Sequence, residues 1–396
     1  MPLPDLPTTP PTPDDLAELV RASGLRRVHL ISWRDLEDVE AGGSEVHAHN
    51  VARRWASAGL DVQLRTSYAQ GRAPVVTREG YRVVRRAGRY LVFPRAAVTE
   101  ALQRNGPWDG MVEIWNGMPF FAPLWTGGKP HVVWLHHVHG EMWRMTFEEN
   151  PRLGQLGEAL ETRIAPLLYR RSRIVTLSSS SKQEIVDDLG FRPDRVSVVP
   201  PGVDPRFSPG GDRSTTPLVV AVGRLVPVKR YDVLLRVLAE LKPRHPDIQA
   251  VIVSEGYERP ALEALRAELG AESWIHLPGW MSDDAIVDLY RRAWVLTSSS
   301  AREGWNMSIT EAAACGTPAV VTDIAGHRDA VADGESGYLA ADERALVARL
   351  DEVLADDVLR KQLGEGALAH AARFTWDATA YGTFRPLAEE ARRRRR

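Results

Sequence analysis

The sequence predicts an α/β protein built from two Rossmann-like domains facing across a cleft. Three observations lead there. Segments of strand character alternate with helical segments in two successive blocks, the pattern of parallel sheets covered on both faces. The composition shifts between Pro205 and Pro217, where SPGGDRSTTP reads as a linker. The chain has 396 residues, 44% hydrophobic and 26% charged, enough for two or three domains and two cores. Sheets of this kind present their strand C-termini and helix N-termini to the ligand, so the cleft is the expected binding region.

The elements follow in order. VHLISW is a short apolar run and reads as a buried strand. After the loop RDLEDVEAGG, the segment SEVHAHNVARRWASAG repeats Val46, Val51, Trp55 and Ala58 at near-helical spacing, with Gly59 placed as a terminal glycine. LDVQLRT closes a βαβ unit. YRVVRR, GMVEIWN, HVVWLH and RIVTLSS are further strands. In SSSSKQEIVDDLG, Ser181 and Glu184 have the spacing of a capping box and Gly190 ends the helix. RVSVVPPGVDP is a strand entering a turn. The second block alternates PLVVAVGR, RYDVLLRVLAELK, QAVIVSEG, ERPALEALRAELG, SWIHLPG, DDAIVDLYRRA, WVLTSSS, SITEAAACG and PAVVTD. A long helical stretch from Asp342 and a last helix from Trp376 complete it. The expected limits are a disordered leader over 1–20, an N-terminal domain over 21–205, a C-terminal domain over 206–375, and a final segment over 376–396.

Composition excludes several classes. Lys plus Arg total 50 against 52 Asp plus Glu, a net charge of -2, so nothing draws the whole chain to nucleic acid or to an anionic membrane. One cysteine, Cys315, rules out a disulfide framework or a cysteine zinc site within a single chain and fits a reducing compartment. The start, MPLPDLPTTPPTPDD, lacks the basic and apolar regions of a signal peptide. No stretch approaches the roughly 18 apolar residues of a membrane span. The expectation is a cytoplasmic protein, with membrane contact at most peripheral and carried by the arginine tail, Arg392 to Arg396.

Four constellations carry chemistry. Gly42-Gly43 follows the first strand and opens a helix, where free N–H groups and the helix dipole favour an anion; the plain alternative is a flexible turn. The dinucleotide fingerprint GxGxxG is absent there. GRLVPVKR follows the first strand of the second domain and sets Arg224 and Lys229 at a strand end, suited to a pyrophosphate, or else a solvated basic loop. Glu303 and Glu311 are two carboxylates with seven residues between. The first leaves the sheet on a loop and can accept from sugar hydroxyls. The second sits in the first turn of a helix and can bind vicinal ribose hydroxyls, or simply cap with Ser308. His136, His137 and His139 follow a strand; with no carboxylate or cysteine at ligand spacing they suit hydrogen bonds to substrate oxygens better than a metal. Trp115, Trp125, Trp134 and Trp143 crowd the same region, most as core. No Asp-x-Asp triplet occurs, so a metal-diphosphate carboxylate pair is missing.

These residues together resemble the family-4 retaining glycosyltransferases of the GT-B fold, over nearly the whole chain from Gly42-Gly43 to Trp376. REGWNMSITEAAACGTPAVVTD is similar to that family's E-x7-E region, GRLVPVKR to its Gly-Arg-Leu…Lys segment, and SSSSKQEI with VVPPGVD to its interdomain junction. The resemblance implies that Glu303 contacts the transferred sugar, Glu311 the ribose, and Arg224 with Lys229 the leaving diphosphate. Backbone N–H groups of Gly304, Trp305, Asn306 and Met307 line the sugar-phosphate pocket, His136 (or His137) contacts the donor sugar, and Gly43 orders near the diphosphate or acceptor. The last helix crosses back to the first domain. The implied reaction moves a hexose-type sugar from a UDP- or GDP-sugar to a sugar, lipid-linked or small-molecule acceptor with retention, needing no metal or other cofactor. An epimerase, a phosphorylase and an inactive nucleotide-binding subunit are the competing readings. Two departures stand out: Asn306 replaces a second glycine, and Ser254 in SEGYE replaces the first glycine of a Gly-Asp/Glu-Gly turn.

Overall fold

The computed structural model describes residues 3, 9–140, 142–146 and 150–395. It divides into two compact units, one of 1–202 with 375–396 and one of 203–374.

The first unit begins with α1 (Pro13–Ser23), β1 (Arg27–Ile31), α2 (Gly43–Ser57), β2 (Asp61–Thr66), β3 (Val75–Arg78) and β4 (Tyr81–Arg85). It continues with α3 (Val92–Ala101), β5 (Gly110–Trp115), β6 (His131–Leu135), α4 (Met142–Thr146) and α5 (Pro151–Ala159). After a π-helical turn, Leu160–Ile164, come α6 (Ala165–Tyr169), β7 (Arg173–Thr176), α7 (Ser179–Leu189) and β8 (Val196–Val198). Among the described residues these strands form a sheet of order β3-β4-β2-β1-β5-β6-β7-β8, parallel except for β3. β3 and α3 were not anticipated; Pro74 and Gly80 around a four-residue strand hide its periodicity.

The expectation of a disordered leader over 1–20 fails for its second half. Thr12 caps α1: its hydroxyl accepts from Asp15 N at 3.3 Å, and the Asp15 carboxylate accepts from Thr12 N at 2.7 Å. Pro13 takes the first helical position, where its missing N–H costs nothing. The helix buries Leu16, Leu19 and Val20. Residues 1–2 and 4–8 of that stretch lie outside the described residues. A second correction concerns α7. Its N-cap is Ser178, whose hydroxyl accepts from Ser181 N at 3.0 Å, so Ser181 stands at the third helical position and does not start a capping box with Glu184.

The second unit holds β9 (Leu218–Val222), α8 (Tyr231–Leu241), β10 (Gln249–Val253), α9 (Arg259–Glu268), β11 (Ile275–Gly279) and α10 (Asp283–Arg292). β12 (Val295–Ser298), α11 (Met307–Ala314), β13 (Ala319–Thr322), α12 (His327–Ala330), β14 (Gly337–Ala340), α13 (Glu343–Ala355) and α14 (Asp357–Ala371) follow. Its strands run parallel in the order β11-β10-β9-β12-β13-β14. The single long helix expected from Asp342 is broken at Asp356, whose carboxylate accepts from Val358 N and Leu359 N and starts α14 afresh.

The chain ends in α15 (Trp376–Arg393), which belongs to the first unit and packs on α1 and α2. Trp55 of α2 is fully buried, donates its indole N–H to Ala380 O at 2.9 Å and meets Phe384 edge to face at 5.2 Å. Arg54 Nε bonds Asp377 Oδ1 at 2.8 Å beside it. Gly202 is required where the chain meets this helix, because a Cβ there would lie 2.2 Å from Trp376 N. The tail arginines are engaged with the protein: Arg393 and Arg394 bond Glu390, and Arg395 bonds Gly24 O at 2.9 Å. No described helix is long and apolar enough to cross a membrane.

Candidate active site

In the second unit the strand order reverses between β9 and β12, which are neighbours in the sheet. The ground beyond their C-terminal ends is the topological switch point, where open α/β sheets bind ligands. Two loops occupy it, Gly223 to Arg230 after β9 and Ser299 to Asn306 after β12. They are stitched together: Ser299 Oγ donates to Lys229 O at 2.9 Å and Arg230 O at 2.8 Å, and Ala301 N donates to Val228 O at 2.8 Å. Tyr231, opening α8, ties its hydroxyl to Gly223 O at 2.9 Å. Gly223 leaves room for the amine, since a Cβ there would lie 3.2 Å from Lys229 Nζ.

The result is an ion pair, Lys229 Nζ to Glu303 Oε1 at 2.5 Å, with Ser300 Oγ donating to the same oxygen at 2.9 Å. Burial pulls the Glu303 pKa upward, but Lys229, then His327 and the hydrogen bonds, outweigh it and hold the carboxyl below its usual range. Glu303 is therefore ionised and already compensated. Arg224 is half-buried on the same loop as Lys229.

Beyond Glu303 the chain turns into α11. Trp305 is buried against Phe374, ring centroids 5.0 Å apart, so its side chain serves the core and only its backbone is on offer. Asn306 is the N-cap at φ 73°, a left-handed conformation that glycine takes freely and asparagine tolerates. Its amide is committed inside the protein: Nδ2 donates to Ser298 Oγ at 3.2 Å and to His327 Nε2 at 3.1 Å, and Oδ1 accepts from Ser308 Oγ at 2.6 Å. His327 Nδ1 donates to Thr322 O at 2.8 Å, which fixes the tautomer that leaves Nε2 as acceptor. Burial pushes its pKa down to about 4. Gly326 allows the approach, because a Cβ there would lie 2.7 Å from Glu303 O and from Trp305 N.

Glu311 is the fifth of the eight residues of α11, past the first turn expected from the sequence; it is half-buried and accepts from Tyr290 OH at 3.3 Å. Burial raises its pKa to about 7. It does not pair with Ser308 as a cap; the Ser308 hydroxyl bonds Val222 O and Asn306 instead. The sequence thus pointed to Lys229, Glu303 and Glu311 at one sheet edge but missed His327, Ser300 and Tyr290. His327 follows β13 in a small-residue turn, TDIAGH, with no spacing that signals chemistry.

In the first unit the equivalent reversal lies between β1 and β5. Gly42 is the N-cap of α2 at the β1 end and donates its N–H to Glu45 Oε2 at 2.8 Å. Asn116, just past β5, donates to Ser44 Oγ at 3.4 Å. The preceding loop is held by buried Asp35, which accepts from Arg78 at 2.9 Å and Arg85 at 2.7 Å. Burial would raise the Asp35 pKa; the two guanidiniums lower it below the usual value.

His136 follows the last residue of β6 directly and is 5% exposed. Its ring meets His47 of α2 edge to face at 5.0 Å, and His47 in turn meets Trp134 at 4.9 Å and Trp376 at 6.1 Å. Burial first, then His47 and His137, push the His136 pKa well down, so the imidazole is neutral. His137 and His139 stack on each other at 4.7 Å. Trp115 and Trp134 are fully buried core residues.

Comparison with known proteins completes the picture. The family model "Glycosyltransferase Family 4" matches residues 41–207 and "Glycosyl transferases group 1" matches 206–370. A D-inositol 3-phosphate glycosyltransferase of Acidothermus cellulolyticus is 33% identical over 87% of this chain and 84% of its own length. The chain belongs to the family-4 glycosyltransferases. A D-inositol 3-phosphate glycosyltransferase of Streptomyces bingchenggensis, 30% identical over 90% of this chain and 87% of its own, is a second relative of this glycosyltransferase. Its fold is the GT-B fold. Sucrose-phosphate synthase of Thermosynechococcus elongatus superposes with a TM-score of 0.77, 19% identity, and 90% and 96% of the two chains covered. Anabaena HepE in complex with UDP-glucose superposes at 0.70, with 18% identity and 92% and 98% covered.

Proposed function

We propose that this glycosyltransferase moves a hexose from a UDP- or GDP-sugar to an acceptor hydroxyl, with retention at the anomeric carbon and without a metal. The observation that carries the reading is the Lys229–Glu303 pair at the β9/β12 switch point. An ammonium beside a buried carboxylate offers one group to a departing diphosphate and one to sugar hydroxyls. The donor binds the second unit. Glu311 accepts from the ribose hydroxyls, and the backbone N–H groups of Gly304 to Met307 with the start of α11 face the sugar and its phosphate. As the bond between the anomeric carbon and the diphosphate oxygen breaks, Arg224 and Lys229 stabilise the charge that develops on that oxygen.

The acceptor oxygen then attacks the oxocarbenium-like carbon from the face the diphosphate leaves, and its proton passes to the diphosphate. Glu303 is held by Lys229 and Ser300, which disfavours its attack as a nucleophile. His136, neutral and just past β6, contacts the donor sugar, and the Gly42-Gly43 turn orders against the diphosphate or the acceptor. D-Inositol 3-phosphate, named in the relatives, is the first acceptor to try.

The test is a thermal-shift screen with UDP, GDP, ADP and TDP, followed by turnover of the matching sugar donors with EDTA present. One nucleotide should raise the melting temperature, and its sugar should be transferred with retained configuration by NMR. Loss of turnover in EDTA would refute metal independence, and an inverted product would refute retention. Isomerised donor without acceptor would mark an epimerase instead.

A further inference from the structure

We infer that the second unit carries a second ligand site, a cationic pocket at the N-terminal ends of its strands that takes a phosphate ester of a small sugar or polyol. The pocket has a volume of about 510 Å³, within the range of small-molecule sites. It borders Trp294 and Pro318, the residues that lead into β12 and β13. Lys229 follows β9 and Glu303 follows β12, so the proposed donor edge lies at the opposite strand ends. The four residues of β12 alone hold the two places roughly 13 Å apart, at about 3.3 Å per residue.

Four cations line the pocket, Arg213, Arg291, Arg360 and Lys361, against two carboxylates, Asp357 and Glu365. Asp357 is spent on Arg360 and on Lys361, the latter at 3.4 Å. The neighbouring acids do not enter. Asp356 caps α14, Asp288 pairs with Arg292 at 3.6 Å, and Asp212 is exposed outside the lining. Arg213 and Arg291 meet neutral acceptors only. Arg213 donates to the carbonyls of Tyr290, Ala293 and Gly316 and to the Thr317 hydroxyl. Arg291 donates to Ser208 O at 2.8 Å and to Ser208 Oγ at 3.1 Å. These bonds fix both guanidiniums in place and leave their charge uncompensated.

The chemistry of the lining names the ligand. Burial lowers the Arg213 pKa, the Cys315 thiol opposes this, and Arg360 lowers it further. A phosphate dianion beside the guanidinium offsets that cost, and the planar fork of arginine matches its oxygens. Arg360 is held as a wall over the Trp294 indole, 3.8 Å from the ring centroid. Two glycines keep the other guanidiniums within reach of a ligand. A Cβ on Gly210 would lie 3.5 Å from Arg291 Cζ, and one on Gly316 would lie 3.3 Å from Arg213 Nη2. The pocket has room beyond the phosphate, and there exposed Glu365 accepts from hydroxyl groups, which a sugar or polyol supplies. The inference uses none of the residues of the proposed reaction and stands apart from it.

The test is isothermal titration calorimetry of the full chain with ribose 5-phosphate, inorganic phosphate and ribose. Ribose 5-phosphate should bind more tightly than inorganic phosphate, and ribose should not bind. Arg291→Gln and Lys361→Glu should each weaken ribose 5-phosphate about tenfold. The Lys361 side chain is 75% exposed, so its replacement probes the pocket without a cost to the fold. Lys229→Ala should bind ribose 5-phosphate as the wild type does. Donor turnover by the two pocket variants, with no phosphate ester added, should match the wild type, which separates this result from any failure of the proposed reaction. Binding unchanged in both pocket variants, or lost in Lys229→Ala, puts the ester elsewhere and overturns the inference. So does inorganic phosphate that binds as tightly as the ester, or the absence of binding by either.

Discussion

Lys229 Nζ lies 2.5 Å from Glu303 Oε1, with the two side chains only 16% and 14% exposed. The pair acts as one electrostatic unit: each charge is tolerable in that place because the other is there. Lys229→Ala should lower kcat by about 100- to 1000-fold, and Glu303→Gln by a similar factor. The double variant should be little worse than the poorer single one, since both changes break the same interaction. Urea unfolding should run the same way. Each single variant leaves a buried group uncompensated, at about 3–5 kcal/mol, and the double variant regains part of it. Strictly additive losses in both measurements would show that the residues work independently.

Glu311 carries a pH signature. Burial raises its pKa to about 7 from 4.5, so the folded protein holds a proton that the unfolded chain releases. The stability from that proton is complete below about 4.5 and is lost as pH rises through about 7. Glu311→Gln should therefore match the wild type at pH 4.5 and exceed it at pH 8, by on the order of 3 kcal/mol. Urea melts at the two pH values check this. If Glu311 accepts from the ribose as proposed, the same variant should bind the donor nucleotide more weakly at pH 8, where the wild-type group is ionised.

Much of this was legible beforehand, and the failures share a physical cause. Parallel strands in both units announce themselves as apolar runs such as HVVWL and LVVAV, because they are buried on both faces. Lys229 and Glu303 were readable because strand ends locate them by counting, whereas Glu311 lies past the first helical turn in which counting put it. What escaped depends on partners far away in sequence. Nothing near Asp35 foretells Arg78 and Arg85, and nothing in TDIAGH foretells Asn306. The α1 cap was overlooked because proline-rich composition outweighed a local Thr12–Asp15 pattern. The tail arginines looked solvated until Glu390 and the carbonyls of Gly24 and Gly128 appeared beside them.

Asn306 and His327 brace the loop whose backbone would face the sugar phosphate in the proposed reaction. Replacing His327 with Phe removes the acceptor for Asn306 Nδ2 and the donor to Thr322 O together. Two buried hydrogen bonds at about 1 kcal/mol each predict a rise in donor KM of about tenfold or more, with kcat changed less. Asn306→Gly keeps the left-handed backbone and should cost less than His327→Phe. The network also sets an acid limit. With the His327 pKa pushed down to about 4, the unfolded chain binds its proton first as pH falls below 6.5, so stability declines from there toward 4. His327→Phe should flatten that decline; an unchanged slope would assign it to other groups.

The turn Ser254-Glu255-Gly256 gives a prediction with two opposite signs. Ser254 is held at φ 132°, a region that residues with a Cβ rarely occupy, and its N–H donates to Gly279 O at 3.0 Å. Those backbone bonds survive replacement by glycine, while the strain does not. Ser254→Gly should therefore stabilise the protein by about 1–3 kcal/mol, less about 0.4–1 kcal/mol for the freer unfolded chain. Two residues on, Gly256 packs so closely that a Cβ would lie 2.1 Å from Leu225 O, and backbone cannot yield as a side chain can. Gly256→Ala should destabilise by about 1–3 kcal/mol or more and, by displacing Leu225, disturb Arg224 and the β9/β12 edge. Chemical unfolding of both variants checks the signs. If Ser254→Gly melts earlier than the wild type, the serine hydroxyl has a role at this turn that outweighs the backbone strain.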